Sequence, residues 1–262
     1  MDHLVWVDSC TVDVGNVRAG IRTNSVPVAA ALARALRLHV VDDPAAPRNF
    51  SVQFSRVADD AHLLFWGGCV AARSFDPDRI LRALVDHLGA HREPPPGLVW
   101  VNALAYVAPA GAVLMPSRFS DDLRIVDRQL RAGGYVAVDS PRSLIDLASA
   151  ELVVPDPLDV DDSALAEAAA VAGRRRAEPT VPPGRYPLDR WVFLDTAGRW
   201  ATVSRATATR SAILEILEGI NRPDRELMEV VAELFTRVGA RSMFPGYTMA
   251  MVDAVLDRPP PQ

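Results

Sequence analysis

Near the middle of the first hundred residues' end, the stretch "HREPPPGLVW" sets Pro94-Pro95-Pro96-Gly97 between two regions of regular hydrophobic patterning. Three consecutive prolines hold the chain extended and remove three backbone donors, so neither a helix nor a central strand can pass through them. The chain must therefore organise itself on either side of this connector. The expected fold class is α+β, with an N-terminal α+β domain over 1–93 and a second domain over 98–262.

Patterning within the first region is specific. "HLVWVDS" and "VRAGIRT" read as strands, and Asn24 or Ser25 can cap a helix over "VPVAAALARALRL", with Pro27 in its first turn. "NFSVQFSRV" alternates as a half-buried strand does, and "HLLFWGGCVAAR" places Gly67-Gly68 between two β-rich arms. Asp76 then precedes Pro77 at the start of a helix with apolar residues at 80, 81, 84, 85 and 88. Aromatic and basic residues interleave on these strands. Arg48, Phe50, Phe54, Trp66 and Arg73 are the candidate surface for an extended peptide added to the sheet as a strand.

Beyond the prolines, "GLVWVNALAYVAPAGAVLMPS" reads as two strands joined around "APAG". A helix over 121–132 ends at Gly133-Gly134, followed by the strand "YVAVDS" and the short-strand region "LIDLASAELVVPDP". "DVDDSALAEAAAVAGRRR" is a helix with acids at its start and arginines at its end, which suits the helix dipole. "RWVFLDT" reads as a central strand, and three helices are expected in the C-terminal part.

The strand–loop–helix at 113–135 has the outline of a phosphate-binding motif without its chemistry. Its loop and first helical turn are Ser117, Arg118, Phe119, Ser120, Asp121, Asp122, Leu123 and Arg124. Glycines are needed there so that backbone N–H groups can wrap phosphates, and a lysine is needed for charge. Neither is present, and Asp121 and Asp122 fill the positive end of the helix that an anion would use. All 28 basic residues of the chain are arginine, which also excludes Schiff-base and lysine-base chemistry.

The order of segments from "GLVWVNALAYVAPAGAVLMPS" through "RAGGYVAVDSPRSLIDLASAELVVPDPLDV", with "YPLDRWVFLDT" and "SMFPGYTMAMVDAVLD", resembles the HPr kinase/phosphorylase-like family of actinobacterial type. The resemblance covers roughly 98–257 and implies a P-loop-derived α/β core with C-terminal helices. It implies that the phosphate loop is degenerate, and it makes Asp139 either the remnant of a catalytic acid or a turn residue before Ser140-Pro141. Relatives of this kind resemble recognition proteins of pathways for ribosomally made, modified peptides, daptide-type pathways among them. The expected function is thus a non-catalytic adaptor, without catalytic residues, cofactor or metal, that binds a precursor (leader) peptide and presents it to a dehydrogenase or an aminotransferase. The alternatives are an ATP-dependent kinase holding phosphates with Arg118 or Arg124, and an accessory subunit that stabilises a partner oxidoreductase or aminotransferase.

Remaining features point to bland roles. A net charge of −5 disfavours a nucleic-acid binder, and no apolar run reaches the roughly 18 residues of a membrane span. With acid rather than basic charge at the N-terminus, the expected location is cytoplasmic. His87 and His91 share a helix face and read as a surface pair, while Cys10 and Cys69 read as small buried residues. Arg174-Arg175-Arg176 reads as a solvated helix end.

Overall fold

The structure, a computed structural model, describes residues 5–55, 57, 60–116, 129–138, 140, 142–173, 179–194, 201, 202, 207, 208, 211, 212 and 225–243. The chain divides into two compact units. The first comprises Met1–Glu93 with Pro157–Pro179, and the second Pro94–Asp156 with Thr180–Gln262. The boundary at the prolines coincides with the end of the first unit's leading segment. The second expected domain is not continuous, however, because residues 157–179 leave it and join the first unit.

The first unit runs β1 (Val7–Val14), β2 (Val17–Thr23), α1 (Val26–Ala35), β3 (Val40–Val41), β4 (Phe50–Gln53), β5 (His62–Trp66), β6 (Cys69–Ser74) and α2 (Pro77–Gly89). Its strands form one six-stranded sheet in the order β3-β1-β2-β4-β5-β6, antiparallel except where β2 lies parallel to β4. Helix α2 forms as expected. The Asp76 carboxylate accepts from the Asp78 N–H, Pro77 occupies the first turn, and Ile80, Leu81, Leu84, Val85 and Leu88 are all buried. Ser25 sits at the N-cap of α1 without a side-chain hydrogen bond. Asn24 instead clamps the end of β4, donating to the Phe54 carbonyl and accepting from the Phe54 N–H at 2.9 Å each.

Helix α3 (Asp162–Ala172) explains the exchange of segments between units. Asp161 caps it by accepting from the Ser163 and Ala164 N–H groups. Its small apolar face, Ala164, Leu165, Ala168 and Ala169, is buried in the same core as Val28, Leu32 and Ala35 from α1 and Leu81 and Leu84 from α2. Alanines at this spacing let helices approach closely, and the Asp161 N–H donates to the Ala35 carbonyl across the junction. The helices thus cover one face of the sheet.

Residues 42–49 pass over the other face. They connect β3, beside β1, to β4, beside β2. The Gly20 N–H donates to the Pro47 carbonyl at 2.8 Å, and Thr11 Oγ1 donates to the Asp43 carbonyl at 3.2 Å. A Cβ at Gly20 would stand 3.1 Å from Arg48 Cγ, so the absent side chain makes room for this crossing. The β1–β2 hairpin is consequently enclosed, with α1 on one face and residues 42–49 on the other.

The second unit contains β7 (Leu98–Val101), β8 (Ala103–Ala108), β9 (Gly111–Pro116), β10 (Val136–Ala137), β11 (Ser143–Asp146), β12 (Glu151–Val154), β13 (Gly184–Leu194), β14 (Ala201–Thr202), α4 (Arg225–Leu234) and β15 (Gly239–Met243). What reads as two strands around "APAG" is three, because the chain changes pairing at Asn102: β7 pairs β11, whereas β8 pairs β9 and β10. β13 is the central strand. Its first residues pair antiparallel with β12, and its later residues pair parallel with β9 and β15. Trp191, Phe193, Leu114, Val231 and Leu234 anchor the core between sheet and α4. Val113, Met115, Val192 and Leu130 are also fully buried, so β9 and β13 are covered on both sides. No helix among the described residues is long and apolar enough to cross a membrane.

Candidate functional site

The free edge of the first unit's sheet is built by local rules. Gly67 and Gly68 have φ of +55° and +89°, the left-handed values that a two-residue hairpin turn demands at both positions. This turn fixes Trp66 opposite Cys69. A bulge follows, since Phe65 faces Val70 while Leu64 faces Ala72, leaving Ala71 as an extra residue on β6. Ser74 Oγ then accepts from the Asp76 N–H at 2.9 Å, ending the strand and starting α2. β6 is the last strand of the sheet. Among the described residues, its backbone is paired with β5 alone.

Arginines crowd the face opposite the helices, and most are already satisfied. Arg48 grips both Asp8 carboxylate oxygens at 2.9–3.1 Å and holds that carboxyl below its usual range. Arg22 lies 4.9 Å over the Trp6 ring and donates to Ser51 Oγ at 2.8 Å. Arg18 pairs with Asp13 at 2.6 Å and reaches Asp43 at 3.4 Å. Arg73, on β6 and exposed, makes no hydrogen bond or ion pair with the described residues.

The residues expected to form a peptide surface separate accordingly. Phe50 and Phe54 are core residues at 0% and 5% exposure, so they offer nothing to a ligand. The strand alternation fails at β4 because its outer face is covered too: Ser51 is buried against Arg22. Trp66 is half-buried, its ring 4.3 Å from Phe50 and 5.2 Å from each of His87 and His91. His87 is therefore not a surface residue; it packs edge-on to Phe50 within this aromatic cluster. Arg48 serves the ion pair with Asp8. Only Arg73 of the five is exposed on the open strand without a described partner. Val70 and Phe75 beside it were not singled out by the sequence, since only the bulge brings Val70 and Arg73 onto one face.

A cleft of about 220 Å³ lies beneath residues 42–49, lined by Asp8, Ser9, Cys10, Thr11, Pro44 and Arg48 among others. Burial pushes the Cys10 thiol up, and Ser9 Oγ donates to the Ala29 carbonyl at 2.7 Å. A raised thiol is a poor source of thiolate, while Cys69, expected like Cys10 to be a small buried residue, is exposed beside the hairpin turn. Among the described residues, no group of three His, Cys, Asp or Glu side chains converges on a metal position.

His62 is the buried titratable group of this unit with a clear pH signature. Its Nδ1 accepts from the Ser55 N–H at 3.0 Å. Burial lowers its imidazole below the ordinary value, against the opposing pull of the Asp76 carboxylate. The unfolded chain then binds a proton that the folded chain refuses, so stability falls as pH drops through the ordinary histidine value and levels off below the lowered one. Urea midpoints measured from about pH 8 to about pH 5 should fall more steeply for the wild type than for His62→Asn, which retains an acceptor.

In the second unit, Ser117 to Arg124 and Asp139 lie outside the described residues, as do Arg174 to Arg176. The elements around the loop are described. β9 ends at Pro116, and a helix ends at Gly133-Gly134 as expected: Tyr135 N–H donates to the Leu130 carbonyl and Gly134 N–H to the Arg131 carbonyl, with Gly134 at φ +84°. This bonding closes a helix onto a glycine in the left-handed region. No protein-family model, curated protein sequence or solved structure matches the chain.

Proposed function

We propose that this protein is a non-catalytic adaptor that binds a ribosomally made precursor peptide in extended form and presents it to modifying enzymes such as a dehydrogenase or an aminotransferase. The observation that carries the reading is the edge of β6, which ends the six-stranded sheet with its outer backbone groups unpaired among the described residues. An extended segment added there gains main-chain hydrogen bonds whatever its sequence, and alternate side chains supply specificity. The second unit is read as a degenerate HPr-kinase-like core. In support, β9 runs parallel to the central β13, a helix end at Gly133-Gly134 follows it in the chain, and the intervening sequence "SRFSDDLR" lacks the glycines and lysine of a phosphate cradle.

Calorimetry on the full chain separates this from a kinase. Magnesium ATP should give no saturable heat, whereas a synthetic copy of a short peptide found encoded in a neighbouring reading frame should. Trp66 and Cys69 close the two-residue turn as a hydrogen-bonded pair, so the next pair along, Phe65 and Val70, turns its amides outward. Val70→Pro removes one outward donor without breaking the ladder and should weaken peptide binding by roughly tenfold or more. Unchanged peptide affinity in that variant would place recognition elsewhere.

The parallel β9–β13 pairing also favours a second reading, an ATP-dependent kinase that holds phosphates with arginines such as Arg118 or Arg124. Saturable heat with magnesium ATP would support it.

A further inference from the structure

Resting on the reading that an extended segment pairs with β6, we infer that the segment this edge accepts carries an acidic side chain with an apolar side chain two positions away. The bulge at Ala71 keeps Val70, opposite Phe65, and Arg73, opposite Leu63, on one face of the sheet. Phe75, 38% exposed, lies in the bend beyond the end of β6 and has no strand position to offer. The edge therefore presents an apolar and a cationic side chain on one face. Each would stand beside an alternate residue of an added strand.

Charge decides what that middle residue must be. Asp13 and Asp43 hold Arg18, Asp8 holds Arg48, and Trp6 with Ser51 holds Arg22. Arg73 alone of these four has no described partner. An arginine on a terminal strand, together with a bulge, discourages pairing by uncharged strands. A second copy of this chain would bring another cation to the same edge. A strand bearing a carboxylate beside Arg73 instead removes the obstacle and replaces it with a pair.

The test is a display selection of random ten-residue segments on the immobilised full chain, run in parallel on Arg73→Glu and Val70→Pro, with thermal midpoints confirming that each variant is folded. Wild type should enrich segments with Asp or Glu and an apolar residue two positions away, Arg73→Glu should enrich Lys or Arg in place of the acid, and the preference at that position should change by roughly tenfold. Segments without acidic bias, captured equally by wild type and Arg73→Glu but lost on Val70→Pro, overturn the inference and leave strand addition intact. No enrichment, capture indifferent to both substitutions, or a dimer in sedimentation that Val70→Pro dissolves, overturns both.

Discussion

A fragment ending at Glu93 should fail to fold cooperatively, although it contains every strand of the first sheet. The missing piece is α3 with its approach, which returns from residue 157. Leu158 and Leu165 are 4% and 1% exposed in the complete chain, and Ala168 and Ala169 are fully buried. Each leucine contributes about 1.5–3 kcal/mol by burial. Removing α3 also bares the faces of α1 and α2 that it covers. Against a total stability of about 5–15 kcal/mol for an ordinary domain, that loss leaves little. The surface pairs Arg34–Glu167 and Arg82–Asp162 matter less, since both are solvent-exposed. Circular dichroism should show no sharp thermal transition for the fragment. A fusion that appends 157–179 through a flexible linker should restore one. A fragment with a sharp transition of its own would mean that α3 is an accessory to the fold.

Gly15→Ala should destabilise the protein severely, by about 3 kcal/mol or more, from two separable causes. Gly15 turns the β1–β2 hairpin at φ +60°, where an L side chain is strained. The turn also rests on the end of α2: an added Cβ would run into the His91 carbonyl oxygen and stand 2.8 Å from Arg92 Cα. Gly67 provides the control, because its φ is +55° but nothing lies within 4 Å of its missing Cβ. Asparagine tolerates the left-handed region better than alanine. Gly67→Asn should therefore be nearly neutral in chemical denaturation, while Gly15→Asn should keep most of the penalty of contact. Equal losses at both sites would show that conformation, not the seat on α2, is what Gly15 supplies.

Legibility in the sequence followed the range of the interaction responsible. The start of α2 at Asp76-Pro77, the hairpin at Gly67-Gly68 and the helix stop at Gly133-Gly134 are set by residues within a turn of one another, and each stands where the pattern places it. The partner of α3 is not written locally. "ALAEAAAVA" tells which face is apolar but not that α1 and α2 will cover it. β15 went unread because "GARSM" has no apolar alternation; it exists through parallel pairing with β13. The site shows the same division. The second arm of the hairpin was visible, but not that it would be the terminal strand, nor that Phe50 and Phe54 would be consumed by the core while Arg73 stayed outside.

The enclosure of β1 and β2 bears on how the chain is held together. A finger of chain passes through a ring whose two sides are α1 and residues 42–49, and Gly20 is the point where ring and finger touch most closely. The Arg48–Asp8 pair and the Gly20–Pro47 hydrogen bond therefore tie three stretches of chain together at one level of the sheet.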